Sequence, residues 1–283
     1  MTFERMEPPR DNLELRRAIY QGALRALPAT AASRALVDDV LDLLRAELGE
    51  GDVRVTPSAL PPEELFHRVG RIRKTLFLEP LFHRRARAVV AACGFDPSRV
   101  AFDPLRLRVI ADRGHENPRA APVYYPHRDT WYAHSQSIVT WWIPLHDLRE
   151  DETFVVYPDH FDRPVPNDSE IFDYDAWVAK GWSLKIGWQD LEAGRTARYP
   201  TVLGELDPGR AVGFSCRRAE NLLFSGAHFH RTRPQATGLC RYSLDFRVVH
   251  LDDHAAGLGA PNVDNRSRGS ALADYDHPAT RGD

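Results

Sequence analysis

The 283-residue sequence predicts a mainly β fold with a helical N-terminal part, and two observations carry this prediction. Up to about residue 93, apolar residues recur at three- and four-residue spacing, which is the period of a helix. From about residue 99 to residue 250, apolar and polar residues alternate, which is the period of a strand. Strands that follow a helical front indicate an antiparallel sandwich or barrel with helices packed outside it.

Four helices are predicted in the N-terminal part, residues 1–98. The stretches LELRRAIYQGALRAL (13–27) and SRALVDDVLDLLRAEL (33–48) each place apolar residues on one face, and Pro28 separates them. Two more helices are predicted over residues 62–75 and 79–93, and the second stops at Gly94 and Pro97.

The strands are predicted in a core of residues 99–250. RVAFDPLRLRVIAD (99–112) alternates, and so do residues 121–129, 136–145, 153–157, 210–216, 220–227 and 240–249. A polar insertion, residues 159–209, interrupts them and is interpreted either as a lid over the site or as an aromatic-pinned surface excursion. Residues 251–283 are expected to form an irregular tail of what is predicted to be one domain.

Composition narrows the class of protein. The net charge is −3 with both signs mixed along the chain, so no basic tract indicates a nucleic-acid partner. No apolar run approaches the ~20 residues of a membrane helix, and MTFERMEPPRDN has no apolar signal core. The three cysteines are widely spaced and suit reduced thiols, so a cytoplasmic protein is expected. The oligomeric state is left open.

The stretch YYPHRDTWYAH (124–134) carries the first chemical signal. If it is a strand, His127 and Asp129 point to one face and Arg128 to the other, so two metal-binding groups lie together. The His-x-Asp pattern also occurs at 160–162 and 250–252. Those copies lie in the polar insertion and at the end of the last strand, so the pair at 127–129 is the favoured metal site.

A second element, HFHRTRPQATGLCRYSLDFR (228–247), follows a strand-like run. His228 and His230 share a face, and Arg241 and Ser243 share a face of the next strand. This spacing suits a hairpin with a metal ligand on one arm and a carboxylate-binding pair on the other, because the guanidinium fork of arginine matches a carboxylate.

With these residues in place, the sequence resembles the non-haem iron(II), 2-oxoglutarate-dependent oxygenases, most closely their phytanoyl-CoA dioxygenase-like branch. The features that match are His127-Arg128-Asp129, then His230, then Arg241-Tyr242-Ser243 eleven residues later. The resemblance covers residues 100–250. It implies a double-stranded β-helix core, also called a jelly-roll or cupin-like core.

The resemblance also implies the cofactors and their ligands. His127, Asp129 and His230 would bind Fe(II), and Arg241 with Ser243 would bind the far carboxylate of 2-oxoglutarate. O₂ would take the remaining position on the metal as co-substrate. Because halogenating relatives lack the carboxylate that Asp129 supplies, hydroxylation of a small molecule is expected. Desaturation, epimerisation and cyclisation would use the same ligands and stay open.

Several residues are candidate substrate contacts. Tyr125 shares the predicted face of His127, Trp131 follows the ligand pair, and Arg247 shares a strand face with Arg241. Arg108, next to Arg106, reaches the site if its strand face is turned inward. One of Trp141 and Trp142 is expected to border the site, and the sequence leaves open which. Two other classes also remain: a cupin-type metal enzyme that does not use 2-oxoglutarate, and a jelly-roll that binds a ligand without catalysis.

Overall fold

A computed structural model describes residues 2–180, 199–205 and 209–278 of the chain. The helices in this part of the chain are α1 (Leu13–Tyr20), α2 (Ala31–Leu48), α3 (Pro62–Leu78), α4 (Pro80–Ala92), α5 (Tyr174–Lys180) and α6 (Leu251–Ala255). The strands are β1 (Glu4–Arg5), β2 (Arg25–Leu27), β3 (Val100–Phe102), β4 (Arg106–Ile110), β5 (Ile138–Pro144), β6 (Phe154–Val156), β7 (Asn221–Ser225), β8 (His230–Thr232) and β9 (Arg241–His250).

The N-terminal helices form where the sequence places their start and stop signals. Thr30 caps α2, because its side chain accepts a hydrogen bond from the backbone N–H of Ser33 while Ser33 bonds back to it. Gly49 follows the last turn with a φ of 99°, a conformation that favours glycine. Prolines start α3 and α4, where their missing N–H costs no helical hydrogen bond. These helices bury their apolar faces in one core cluster with β9 and β5.

The first predicted helix is shorter than its periodicity indicates. It was expected to extend to residue 27, but α1 ends at Tyr20 and residues 25–27 form β2 instead. Gly22 has a φ of 94°, which a continuing helix does not allow. Beyond it, Arg25–Leu27 pairs with β7, so hydrogen bonding between distant segments overrides the local helical pattern.

Most strands belong to one seven-stranded sheet with the order β1-β2-β7-β5-β9-β3, in which β4 also pairs with β9. All of its pairs are antiparallel except β1 with β2. A second sheet consists of β6 and β8, and single bridges from His127 to His230 and from Val156 to Val212 extend it. The mixed helical and β architecture agrees with the predicted class.

The two sheets face each other. Trp142 of β5 and Phe224 of β7 pack in one cluster with Phe154 and Val156 of β6. Side chains from two sheets that share a cluster are the mark of a sandwich. The large sheet therefore has its helices on one face and the small sheet on the other, and the site described below opens between the sheets.

Strand β9 separates the two sides of the large sheet. Tyr242, Leu244 and Phe246 point into the cluster under the helices. Arg241, Asp245 and Arg247 point the other way and line a cavity. Every residue of β9 is nevertheless buried, so its charged side chains are removed from bulk water. Such groups need partners or ligands, because an unpaired buried charge is costly.

Two predicted strands do not form. Residues 118–124 are a 3₁₀ helix, and the segment that follows reaches the small sheet only through the His127 bridge. Pro118, Pro122 and Pro126 explain this, because proline cannot donate to a strand ladder. In residues 210–216, only Val212 and Cys216 make bridges.

The predicted hairpin between His230 and Arg241 is also wrong. His230 begins β8, which pairs with β6 in the small sheet, whereas Arg241 begins β9 in the large sheet. The loop between them therefore crosses from one sheet to the other. Because the two residues belong to facing sheets, they can approach one cavity from opposite sides.

The insertion and the tail both contribute to the interior. Of residues 159–209, the segments 181–198 and 206–208 lie outside the described residues, so the predicted lid is described only in part. Its described part places Phe172, Tyr174 and Trp177 beside the cavity. In the tail, α6 and a 3₁₀ turn at Ala271–Asp274 pack against the core, and Asp276 bridges to Phe102. Among the described residues, no helix has the length and apolar character needed to cross a membrane.

Candidate metal centre and adjoining cavity

The two segments that carry the candidate ligands are joined by backbone hydrogen bonds. The N–H of His127 donates to the carbonyl of His230 at 2.9 Å, and the N–H of His230 donates to the carbonyl of His127 at 3.0 Å. Directly after this bridge, Asp129 starts a 3₁₀ turn that ends at Tyr132. The turn replaces the predicted strand, yet it still leaves Asp129 on the side of His127.

Three side chains converge at this bridge. Ligand atoms of His127, Asp129 and His230 lie within 4.8 Å of one another, and they form the candidate metal cluster in the described part of the chain. Nε2 of His127 is 3.7 Å from Oδ1 of Asp129. The two imidazole ring centres are 4.4 Å apart. Two imidazoles and one carboxylate grouped in this way match the facial set that binds iron(II) and leaves positions open.

Hydrogen bonds fix the tautomer of both histidines. Nδ1 of His127 lies 2.8 Å from the carbonyl oxygen of Tyr125, and Nδ1 of His230 lies 2.9 Å from that of His228. Because a carbonyl only accepts, each Nδ1 carries the proton and each Nε2 keeps its lone pair. Burial lowers the pKa of His127 to about 3 and also lowers the pKa of His230. Both rings are thus neutral, as a metal ligand must be.

Asp129 is fully buried and held by two donors. Thr140 Oγ1 donates to its Oδ2 at 2.6 Å. Arg247 donates from Nη2 to Oδ1 at 2.9 Å and from Nε to Oδ2 at 3.2 Å. The pKa of Asp129 lies well below its usual value, since the favourable charge of Arg247 outweighs the burial that would raise it. Oδ2 has two donors and Oδ1 has one, so Oδ1 retains the capacity to bind a metal.

A second buried arginine, Arg128, holds the 3₁₀ turn that begins at Asp129. Arg128 points away from the ligands, as alternation predicts, and its Nε is 3.0 Å from Oδ2 of Asp264 in the tail. It also donates to the carbonyls of Ala227, His160 and Arg163. Trp131 Nε1 donates to the other oxygen of Asp264 at 2.8 Å. This network connects both ligand segments with the insertion and the tail.

Arg241 lies in the same cavity, and among the described residues it has no carboxylate partner. Its side chain is buried, and neither Nε nor Nη1 has a hydrogen-bond partner. Its guanidinium carbon stands 5.7 Å from the centre of the Trp142 ring. Burial, and then repulsion from Arg108, lower the pKa of Arg241 to about 10, so it remains a cation at neutral pH. A buried cation with free donors is a ready site for an anion.

Ser243 and Asp245 follow Arg241 on the same face of β9. The hydroxyl of Ser243 is fully buried and has no hydrogen-bond partner, although Ser243 itself does not line the cavity. Asp245 accepts from Nε of Arg108 at 2.8 Å and lies 3.7 Å from Arg247. The pKa of Asp245 is lowered, because the neighbouring arginines outweigh its burial.

The cavity that holds these groups has a volume of about 160 Å³. Its aromatic walls come from both sheets and from the insertion. The ring of Tyr132 meets that of His127 edge-on at 5.5 Å, and Phe224 meets His230 at 5.4 Å. Apolar walls around a few polar groups are the usual composition of a small-molecule site.

The remaining sequence candidates lie in different places. Arg108 and Arg247 line the cavity, and both pair with carboxylates. Tyr125 does not line it, and its role near the site is the carbonyl that orients His127. Trp131 is fully buried in a core cluster with Phe229 and does not reach the cavity.

The structure also answers the question left open between two tryptophans. Trp142 borders the cavity, whereas Trp141 stacks on Phe246 at 5.7 Å in the core under the helices. His228 lies outside the metal cluster, with its ring nitrogens 3.1 Å from the carbonyls of Ser225 and Gly22. The preference for His230 over His228 therefore agrees with the geometry.

Two residues of the candidate site were not picked out in the sequence. Thr140, which bonds Asp129, shares a strand face with Trp142, and Asp245 shares one with Arg241 and Arg247. Alternation along a strand would have grouped Thr140 with Trp142 and Asp245 with Arg241, and both of these partners were already candidates. The missing information was which face of each strand turns inward, and that depends on how the two sheets stack.

No protein-family model matches the chain, and no curated protein matches it. Solved structures that resemble it include non-haem and 2-oxoglutarate-dependent enzymes. EctD from S. alaskensis, solved with 2-oxoglutarate and 5-hydroxyectoine, has 14% identity, a TM-score of 0.49 and 95% of each chain covered. EvdO2 from Micromonospora carbonacea var. aurantiaca, complexed with 2-oxoglutarate, has 13% identity and a TM-score of 0.47, covering 84% of this chain and 90% of its own.

A third similar structure is the epimerase SnoN in complex with Fe³⁺, α-ketoglutarate and nogalamycin RO. It has 16% identity and a TM-score of 0.45, and the match covers 90% of this chain and 96% of SnoN. At these identities and TM-scores, the matches carry no argument about this chain. The function proposed below therefore depends on the side chains of this chain.

Proposed function

We propose that the protein is an iron(II)- and 2-oxoglutarate-dependent dioxygenase that hydroxylates a small molecule. The observation that carries the proposal is the combination of two groups in one cavity. One is the cluster of His127, Asp129 and His230, and the other is the buried, carboxylate-free Arg241. A metal site alone fits many enzymes, whereas a metal site beside an unpaired buried cation fits a co-substrate with a carboxylate at each end.

The donor set fits Fe(II). Each histidine offers Nε2 because its Nδ1–H is bound to a backbone carbonyl, and Asp129 offers Oδ1 because Thr140 and Arg247 both hold Oδ2. Three ligands on one side of the ion leave room for two atoms of 2-oxoglutarate and for O₂. When bound, these cofactors supply oxidative decarboxylation of 2-oxoglutarate to succinate and CO₂, coupled to oxygen insertion into a C–H bond.

The protein contributes binding, orientation and exclusion of water. Arg241 would bind the far carboxylate of 2-oxoglutarate, and the unpartnered hydroxyl of Ser243 is the nearest further donor on that strand face. Arg247 keeps Asp129 ionised and oriented. Tyr132 and Phe224 pack edge-on against the two histidine rings. Arg108 is retained as a candidate substrate contact because it lines the cavity.

We further propose that the two sheets are the halves of a double-stranded β-helix and that residues 1–283 form one oxygenase domain. The shared cluster of Trp142, Phe154 and Phe224 supports the facing arrangement. The ligand positions support it as well, since His230 lies on the small sheet and Arg241 on the large one.

Turnover of 2-oxoglutarate tests the proposal. The purified protein would be incubated in air with Fe(II), ascorbate and 2-oxoglutarate, and succinate would be measured by NMR. We expect slow, iron-dependent succinate formation even without substrate, lost in Asp129→Ala. Asp162→Ala is the matched control, because Asp162 is exposed, belongs to a His-x-Asp pair outside the cluster, and should leave succinate formation unchanged when replaced.

The alternatives give different results in the same assay. Iron that binds without succinate formation would contradict the proposal and indicate a cupin-type enzyme that does not use 2-oxoglutarate. Absence of iron binding would indicate a jelly-roll that binds a ligand without catalysis. Equal losses in Asp129→Ala and Asp162→Ala would mean that the cluster is not the site of reaction.

A further inference from the structure

A second cavity adjoins the metal site and has a volume of about 100 Å³. The two cavities share the side chains of Arg106, Arg108 and Trp177 among their walls. The second one continues away from the metal toward α3, where Arg73 and Phe77 form its far end. A molecule placed here would therefore have one part near the metal and another part near Arg73.

Arg73 is the second cavity arginine without a carboxylate. Its Nε donates to the carbonyl of Leu107 at 3.0 Å, which holds the side chain against β4. Among the described residues, no carboxylate lies within 4.0 Å of its guanidinium, and its two terminal nitrogens have no hydrogen bond. Burial and the nearby Arg108 lower the pKa of Arg73 to about 10, so it is charged at neutral pH.

The other charged groups of this cavity already have partners. Arg106 pairs with Asp103 at 3.1 Å, and Arg108 pairs with Asp245 at 2.8 Å. Asp274 accepts from the hydroxyl of Tyr174 at 2.6 Å. The hydroxyl of Tyr174 is neutral and leaves the charge of Asp274 in place, so the cavity as a whole has no surplus charge. Among the described residues, Arg73 is nevertheless the cation of this cavity that has no carboxylate within 4.0 Å. A guanidinium without a carboxylate partner favours a ligand that brings a negative charge to it.

The rest of the wall is apolar. Phe77, Leu105, Val123 and Trp177 surround the space next to Arg73. The cavity thus combines one fixed cation with apolar surface, and this is the complement of an organic anion and not of a free inorganic ion. The fixed fork of an arginine whose Nε is already held suits the two oxygens of a carboxylate or the oxygens of a phosphoryl group.

We propose that this second cavity binds the anionic end of the substrate, a carboxylate or a phosphoryl group on an apolar body, through Arg73. The assignment of this ligand as the substrate rests on the proposed dioxygenase function. The anion site itself does not. The chain would then use its two unpaired arginines for different molecules, Arg241 for 2-oxoglutarate and Arg73 for the molecule to be oxidised.

Calorimetric binding of three small probes to the metal-free protein tests the proposal. Phenylacetate and phenyl phosphate carry the two candidate anionic groups, and phenylacetamide is the neutral match of the first. We expect at least one anion to bind more tightly than phenylacetamide by about 10-fold or more. Arg73→Met should weaken binding of that anion by about the same factor, and Arg241→Met should leave it unchanged. Arg73→Lys should bind the anion more weakly than the parent but more tightly than Arg73→Met, because lysine keeps the charge and lacks the planar fork.

Four results would overturn the proposal. The first is equal binding of phenylacetate and phenylacetamide with no preference for phenyl phosphate. The second is unchanged anion binding in Arg73→Met, and the third is a loss of anion binding in Arg241→Met instead. The fourth is that no probe binds. The comparison of anion and neutral probe on the parent protein needs no variant, so misfolding of Arg73→Met cannot decide the result. If 2-oxoglutarate fails to bind while the Arg73-dependent anion still does, the dioxygenase function is wrong and the anion site stands.

Discussion

Replacing Arg241 by methionine should stabilise the protein while it weakens 2-oxoglutarate binding. In the free protein, Arg241 is a buried cation whose Nε and Nη1 have no hydrogen-bond partner. Its favourable contact is the face of Trp142 at 5.7 Å. Methionine has a similar length and can fill the same space without a charge. A binding residue such as Arg241 lowers the stability of the protein when its ligand is absent. This cost is expected where binding requires a charge that is already in place.

The magnitude follows from the contacts. Each buried nitrogen without a partner costs about 1–3 kcal/mol, and the cation–π contact that would be lost contributes about 1–2 kcal/mol. The net expectation is a gain of about 2 kcal/mol in the free energy of unfolding of the Arg241→Met protein. For a domain of this size, that corresponds to a rise of about 4–8 °C in Tm. Loss of a bidentate charge-assisted pair should weaken 2-oxoglutarate by about 100-fold.

Arg128→Met is the matched control, because Arg128 is equally buried but fully partnered. Its loss would leave the buried carboxylate of Asp264 without its cation and free three backbone carbonyls. Breaking a buried pair in this way costs about 3–5 kcal/mol. Urea unfolding and calorimetry would be run on the parent and both variants without metal, and then with Fe(II) and 2-oxoglutarate under anaerobic conditions.

The two arginine variants should therefore move stability in opposite directions. If Arg241→Met is destabilised as strongly as Arg128→Met, then Arg241 is a structural residue and not a prepared anion site. If 2-oxoglutarate binds both the parent and Arg241→Met with equal affinity, the co-substrate contact is elsewhere in the cavity.

Three further changes test the parts of the site separately. Thr140→Val removes the hydroxyl that donates to Asp129 and should weaken Fe(II) binding by about 10–100-fold in calorimetry. Thr140→Ser keeps a hydroxyl and should not weaken it. Equal affinities of Thr140→Val and the parent for Fe(II) would contradict this prediction. Burial lowers the pKa of His146 to about 4. As the pH falls below 6.5, this histidine is therefore protonated in the unfolded chain before it is protonated in the folded protein. The free energy of unfolding of the parent should fall, because of this group, by up to about 1.4 kcal/mol per pH unit down to about pH 4. His146→Gln should flatten the pH dependence of urea unfolding by that amount, and parallel curves would refute the assignment. Gly226→Ala would press a methyl group against Ile138 and should lower stability by about 1–3 kcal/mol, so an unchanged urea midpoint would show that this contact can relax.

Local pattern was enough to predict much of the fold. The helix α4 and the strands β5 and β7 lie within the predicted segments, and α2, α3 and β9 extend one to three residues beyond theirs. Each of these elements carries a clear period of apolar residues. The errors have local physical causes. Gly22 ends α1 before the apolar pattern does, and prolines 118, 122 and 126 prevent a ladder where alternation indicated one.

The residues that converge in the candidate metal cluster were named from the sequence, although part of the reasoning behind them was wrong. His127 and Asp129 were placed on one strand face, whereas a bridge and a 3₁₀ turn bring them together. His230 and Arg241 were placed on one hairpin, whereas they belong to facing sheets. The spacing of these residues along the sequence was still informative, because the same side chains reach the cavity although the backbone conformation differs from the predicted one.

The rest of the site depends on contacts between distant segments. Arg73 lies on a predicted helix, but the sequence does not show what its side chain reaches, and only the packing of α3 on β4 brings it to the cavity. Arg247 pairs with Asp129 across 118 residues of sequence. The partner of a buried charge is set by sheet order and register, which no local pattern contains.

The most direct measurement is an anaerobic titration of the metal-free protein with Fe(II) and then with 2-oxoglutarate, followed by the weak visible charge-transfer band of the chelate. The proposed function predicts a band that saturates at one 2-oxoglutarate per protein, that is lost in Asp129→Ala, and that needs about 100-fold more 2-oxoglutarate in Arg241→Met. Iron bound without any band on addition of 2-oxoglutarate would contradict the central claim.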